Sequence, residues 1–224
     1  MPAAASTSRL TWIRSSGGRG GATLRVVADE HADAEVEELE DVPQLDPEAA
    51  ARRAAAMSFI RKWGDPVLKS RATPVDRFDE TLQQQVQRMA GIMKDAVGVG
   101  LAAPQLGVSQ RLLVYRIGSE APLITLVNPE LEWQSDEDRE TLEEGCLSIP
   151  SVAVDVERPV HVRVRAKDER GEERLVEASG LEARVIQHEM DHLDGVLMLD
   201  RASREDRKEA LRALREQEQA DRAA

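Results

Sequence analysis

The sequence predicts an α+β fold, and three features carry that expectation. Apolar runs at residues 112–117, 123–128, 160–165 and 174–178 read as short strands, the last two joined into a hairpin by a turn around Gly171. A helical pattern occupies about 181–192, with Gly195 just beyond its end. Strands gathered around one helix give an α+β fold.

Taken in order, the first 56 residues differ from the rest. They begin with Ala, Ser, Gly and Arg, including Arg9, Arg14, Arg19 and Arg25, and have no acid before Asp29. Acids then dominate from Asp29 to Glu48, where no Lys or Arg occurs. Lacking periodic apolar positions, residues 1–56 are expected to be a disordered extension, with at most a short helix near 47–56. The Arg- and Ser-rich start is similar to an organelle transit peptide. Met57, immediately before the patterned region, offers a competing translation start.

A domain is expected over 57–200. Asp65-Pro66 and Thr73-Pro74 mark turns. Asp79 is placed to cap a helix whose Leu82, Val86, Met89 and Met93 recur at helical spacing. Residues 98–105 read as a loop or short strand, and the strands named above follow. Within 160–165, apolar and polar residues alternate as on a half-exposed strand. Residues 201–224 are expected to end the chain in a surface helix, where Leu211 and Leu214 form a narrow apolar stripe among charges of both signs.

Composition narrows the function classes. A chain of 224 residues suffices for one domain with a real core. Aromatics make up only 3%, so aliphatic side chains must fill that core. A formal net charge of -12 argues against a general nucleic-acid binder. One cysteine excludes an internal disulfide and fits a reducing compartment. No apolar run approaches the roughly 20 residues needed to span a bilayer.

The chemistry concentrates in three segments. His188-Glu189-Met190-Asp191-His192 is a HExxH motif; on a helix its two imidazoles share one face and can bind one metal ion, with Glu189 beside it as a general base. Cys146, in Glu144-Gly145-Cys146-Leu147-Ser148, offers a soft third ligand. Three protein ligands and an open position describe a catalytic site. Other residues compete for the third ligand position. Met198 stands where one class of zinc protease has its third histidine, and Glu205 or Glu209 remains open on spacing. The third segment runs from Gly98 through Gly100 to Gln105. Without a Walker lysine or GxGxxG it does not read as a phosphate loop. Its glycines suit close backbone approach, and Gln105 can offer an amide to a developing oxyanion.

In this order, GxGxAAxQ, EGCLS and HExxH closely resemble peptide deformylase, over roughly 59–199 and including the opening 60–68. The resemblance implies antiparallel sheets packed around a central helix that carries the HEMDH metal motif. It implies hydrolysis of the N-formyl group from the starting methionine of nascent polypeptides, releasing formate. Cys146, His188 and His192 would hold the metal, and Glu189 would move the proton. Gln105 and the backbone N–H of Leu147 would stabilise the oxyanion. Val99, Leu142, Leu181 and Val185 would line an apolar slot for methionine, with Arg184 at its edge, and an extended peptide would add near Gly98 and Gly100. Glu143, Glu144 and Arg158 would order the ligands. The ligand set accepts Fe(II), Zn, Ni or Co, and the resemblance favours Fe(II). A monomer in the bacterial cytoplasm, working on nascent chains near the ribosome exit, completes the expectation. The competing functions are a metalloprotease and an inactive, partner-binding relative.

Overall fold

The computed structural model describes residues 10–12, 24–26 and 46–223. The chain divides into two compact units, Met1–Asp46 and Pro47–Ala224. In the first, β1 (Leu10–Trp12) pairs antiparallel with β2 (Leu24–Val26). Most of the expected disorder falls on residues 1–9, 13–23 and 27–45, which lie outside the described residues.

The second unit opens with α1 (Pro47–Ser58), which buries Ala56. This helix runs across Met57, so a domain start at that residue lies inside a helix. Asp79 caps α2 (Glu80–Asp95), its carboxylate accepting the N–H groups of Thr81 at 3.0 Å and Leu82 at 3.3 Å. The stripe Leu82, Val86, Met89, Ile92 and Met93 is buried. It forms one core cluster with Ala56, Ile60, Leu101 and Leu112.

A five-stranded antiparallel sheet follows, ordered β3 (Gly100–Ala102), β4 (Leu112–Tyr115), β5 (Ile124–Gln134), β8 (His161–Lys167) and β9 (Glu173–Ser179). A separate two-stranded ribbon pairs β6 (Arg139–Cys146) with β7 (Ile149–Pro159). The sequence reading contains neither ribbon strand. In β6, six of eight residues are exposed, so burial imposes no alternation on the sequence. In β7 the alternation does exist, as Val152, Val154 and Val156.

Helix α3 (Gly180–Leu193) carries the HEMDH motif and touches strands of both the sheet and the ribbon. Ala183, Val185, Ile186 and Leu193 pack into a core with Ala102, Leu113, Tyr115, Leu126, Val162 and Val164. Gly195 follows with φ of 72°, and a Cβ there would come within 2.7 Å of the Lys69 carbonyl carbon, so only glycine fits without strain. A helical turn, α4 (Met198–Arg201), leads into α5 (Arg204–Ala223). Ala210 and Leu214 of α5 are buried against Ile149, Val154 and Val156 of the ribbon. The C-terminal helix therefore covers the back of the strand pair that presents Cys146.

Candidate active site

Cys146 ends β6 at a break in the ribbon ladder, between the pairs Gly145↔Ala153 and Cys146↔Ile149. His188 and His192 stand one helical turn apart on α3, ring centroids 5.1 Å from each other. The sulfur and one nitrogen from each ring all lie within 4.8 Å of one another. The Cys146 Sγ to His192 Nε2 distance is 3.3 Å. Burial alone would raise the Cys146 pKa, but His192 and His188 hold it well below the usual thiol range. One thiolate and two imidazoles are a donor set for a borderline divalent cation, with room for a fourth ligand.

The imidazole of His188 is oriented from behind. Its Nδ1 donates to Glu144 Oε2 at 3.0 Å, which leaves Nε2 as the lone pair for a cation. Glu144 sits two residues before Cys146 on β6. Its carboxylate also accepts both forks of Arg158, at 2.9 and 3.0 Å, and Arg184 Nη1 at 2.8 Å. Arg158 continues to Asp191 Oδ2 at 2.6 Å, and Arg201 closes on Asp191 Oδ1 at 2.6 Å. Burial would raise Glu144, yet the hydrogen bonds from His188 and Arg158 outweigh it, and the carboxylate stays ionised well below its ordinary range. Every charge in this buried chain is paired, the condition under which buried ions are tolerated.

Glu189 faces a different environment. It is 4% exposed, and its Oε2 has no hydrogen-bond partner among the described residues. Burial pushes its pKa up to about 7, opposed by His188 and His192 and reinforced by Cys146 and Glu144. An unpartnered carboxylate oxygen beside three ligand atoms fits a group that arrives with a metal. Gly100 makes room for it, because any Cβ there would collide with the Glu189 carboxylate and lie 2.9 Å from its Cγ.

Gln105 is set by the helical turn Ala103–Leu106. Its Oε1 accepts the Ala102 N–H at 2.8 Å, which fixes the amide flip. Its Nε2 then points to Cys146 Sγ at 3.7 Å and Ser148 Oγ at 3.3 Å. Leu147 occupies the ribbon turn, and its side chain is packed so tightly against Gly98 that a Cβ there would meet Cδ1 at 2.9 Å.

Sequence and structure differ at two expected pocket residues. Arg184 is not an exposed edge; it is 7% exposed and donates to Glu144, to Val156 O at 2.8 Å and to Glu140 O at 2.6 Å. Val185 is 6% exposed and belongs to the core shared by α3 and the sheet. Val99, Leu142 and Leu181 are exposed. Glu143 is exposed on the ribbon, whereas Glu144 and Arg158 are buried behind His188. The sequence reading assigned no role to Asp191, Arg201, Ser148 or Lys62. Asp191 lay within the HExxH motif and Ser148 within EGCLS, but nothing in the local sequence names their partners. The remaining histidine of the described residues, His161, bridges Asp138 at 2.9 Å and Ser179 at 2.8 Å.

The polypeptide deformylase family model matches residues 57–208. A peptide deformylase of Thermotoga maritima is 47% identical over 147 residues, covering 66% of this chain and 88% of the relative. One from Parafrankia is 46% identical over 159 residues, covering 71% and 86%. Among solved structures, a peptide deformylase from Legionella pneumophila superposes with a TM-score of 0.69 at 40% identity, covering 74% of this chain and 97% of that one. Family model, relatives and fold agree over the stretch that builds the thiolate–imidazole cluster. The chain therefore belongs to the polypeptide deformylase family, enzymes that remove the N-formyl group from nascent polypeptides.

Proposed function

We propose that Cys146, His188 and His192 hold one Fe(II) ion and that Glu189 carries protons for deformylation of N-formyl-methionyl peptides. The convergence of the three ligand atoms within 4.8 Å, with the unpartnered Glu189 carboxylate alongside, is the observation that carries this reading. A divalent cation there supplies Lewis acidity to the formyl carbonyl and lowers the pKa of the attacking water. Zn, Ni or Co suits the same donors; Fe(II) is favoured by the family resemblance.

The residues divide the remaining work. Glu189 takes a proton as the water oxygen bonds to the formyl carbon. It returns that proton to the nitrogen as the C–N bond breaks, leaving formate and a free amine. A carboxyl held near neutrality suits both directions of transfer. Gln105 Nε2 and the Leu147 N–H donate to the carbonyl oxygen as it gains charge; one such donor contributes about 2.7–4 kcal/mol in a transition state. The substrate backbone lies along Gly100 at the open edge of the sheet, since β3 is its terminal strand. Val99, Leu142 and Leu181 cover the methionine side chain.

The same reading makes the chain a monomer of the bacterial cytoplasm, acting near the ribosome exit. The similarity to the Thermotoga maritima enzyme supports a bacterial setting. The test is formate release from a formyl-Met peptide by protein prepared anaerobically, with metal content measured on the same sample. Cleavage of an unblocked peptide instead would make it a protease. Absence of both activities in iron-replete protein would make it an inactive relative.

A further inference from the structure

Three consecutive residues tie the catalytic loops together. Between α1 and the helical turn Pro66–Lys69, the Arg61 N–H donates to Gln105 O at 2.7 Å and the Trp63 N–H donates to Ser148 O at 2.9 Å. Between them, Lys62 Nζ donates to the Leu147 carbonyl at 3.1 Å. The two loops also meet directly, through Gln105 Nε2 and Ser148 Oγ at 3.3 Å. Arg61–Trp63 is thus a strap across both segments assigned as oxyanion donors.

Leu147 needs such support. It stands where the β6–β7 ladder breaks, so regular pairing does not set its two peptide planes. Its side chain is held by Gly98 and the α2 core. With the side chain and the carbonyl both pinned, the Leu147 nitrogen is fixed in place, and Cys146, paired with Ile149 on the other side of the peptide bond, orients the N–H that is the donor. A charged donor makes roughly twice as strong a bond as a neutral one. Lys62 is exposed as a residue, but partial burial of its amine lowers its pKa from the ordinary lysine value, and the nearby Cys146 opposes that shift.

We infer that Lys62 is a positioning residue for the reaction: its ammonium, 85 residues away in sequence, fixes the Leu147 peptide so that its N–H meets the developing oxyanion. This rests on the assignment of Leu147 and Gln105 as donors. Because the effect concerns the transition state, it should appear in kcat and not in KM. Misplacement by about an ångström can cost up to about 10²-fold.

Kinetics of Lys62→Met, Lys62→Arg and Gln105→Ala on a formyl-Met peptide, with metal content measured on each preparation, test the inference. Lys62→Met is expected to lose about tenfold or more in kcat, with KM within about twofold and metal content unchanged. Lys62→Arg should recover most of that loss, since it restores a charged donor. Wild-type kcat in Lys62→Met alongside a slow Gln105→Ala would overturn the role of Lys62 alone. So would a defect confined to KM, or one accompanied by metal loss and not rescued by arginine. Wild-type kcat in Gln105→Ala would overturn the donor assignment beneath it.

Discussion

Glu144 and His188 link the metal ligands to the core: the carboxylate accepts a hydrogen bond from His188 Nδ1 at 3.0 Å while also accepting from Arg158 and Arg184. Cys146 lies two residues further along the same strand. One short stretch of β6 therefore supplies a ligand and orients another that comes from α3.

Glu144→Gln should show the consequence. The amide cannot satisfy two guanidinium groups and an imidazole N–H together, so it leaves buried positive charge uncompensated. Breaking a buried pair in this way costs about 3–5 kcal/mol. Loss of a partner that orients a metal-bound histidine weakens metal affinity about 10–100-fold. Metal titration and thermal unfolding of the variant check both; unchanged metal affinity would separate Glu144 from the ligand set.

For Glu189→Gln, binding and catalysis should part. The side chain keeps its shape and loses its basicity. General acid–base catalysis contributes 10²–10⁴-fold, about 3–5 kcal/mol. The variant is expected to keep its metal and bind a formyl-Met peptide, yet turn it over at least about a hundredfold more slowly. Near-normal turnover would remove Glu189 from proton transfer, and metal loss would reassign it to ligand support.

Asp200 gives a pH-dependent test at a distance from the chemistry. Burial would raise its pKa, but Lys69, the Leu197 N–H at 2.8 Å and Arg207 lower it below its ordinary value. Its folded pKa thus lies below its unfolded one. The stability it contributes is present above the unfolded value, about 3.9, and is lost as pH falls through the folded value. Asp200→Asn keeps a hydrogen-bond acceptor for Leu197 but loses the charge that meets Lys69 and Arg207, so it should lower the Tm at pH 7 through a stability loss of up to about 1 kcal/mol. The gap from wild type should close as the pH drops below about 4. A gap independent of pH would mean that the carboxylate charge contributes nothing.

Truncation separates the boundary suggested by sequence from the one suggested by packing. A chain beginning at Pro47 keeps α1 whole. One beginning at Met57 removes most of that helix, including Ala56, which is buried in the α2 core. The Pro47 form should unfold at the same temperature as the Pro47–Ala224 unit does in the full chain. The Met57 form should be measurably less stable but still active. Equal Tm values for the two forms would show that α1 adds nothing to the domain.

The local sequence determined a good deal by itself. HExxH on a helical repeat places two imidazoles on one face because the period is a property of the backbone. Asp79 caps α2 because a carboxylate ahead of an apolar stripe meets unpaired N–H groups wherever it folds. Gly100 and Gly195 stand where a Cβ has no space, and the glycines themselves were visible. Tertiary structure alone decided which atoms meet across long separations. Arg184 and Asp191 look like solvent-facing charges in the sequence, because a lone ion is expected to stay hydrated, and the partners of Arg158 cannot be read there. They are buried because each finds a partner tens of residues away, at Glu144, on β7 or on α3. The exposed β6 left no hydrophobic pattern, and its course is set by pairing with β7, by Arg158 and by the cover that α5 gives the ribbon. Periodicity and capping act within a turn or two of chain. Ion pairing, strap contacts and burial depend on distances that exist only after the sheet, the ribbon and α3 have come together.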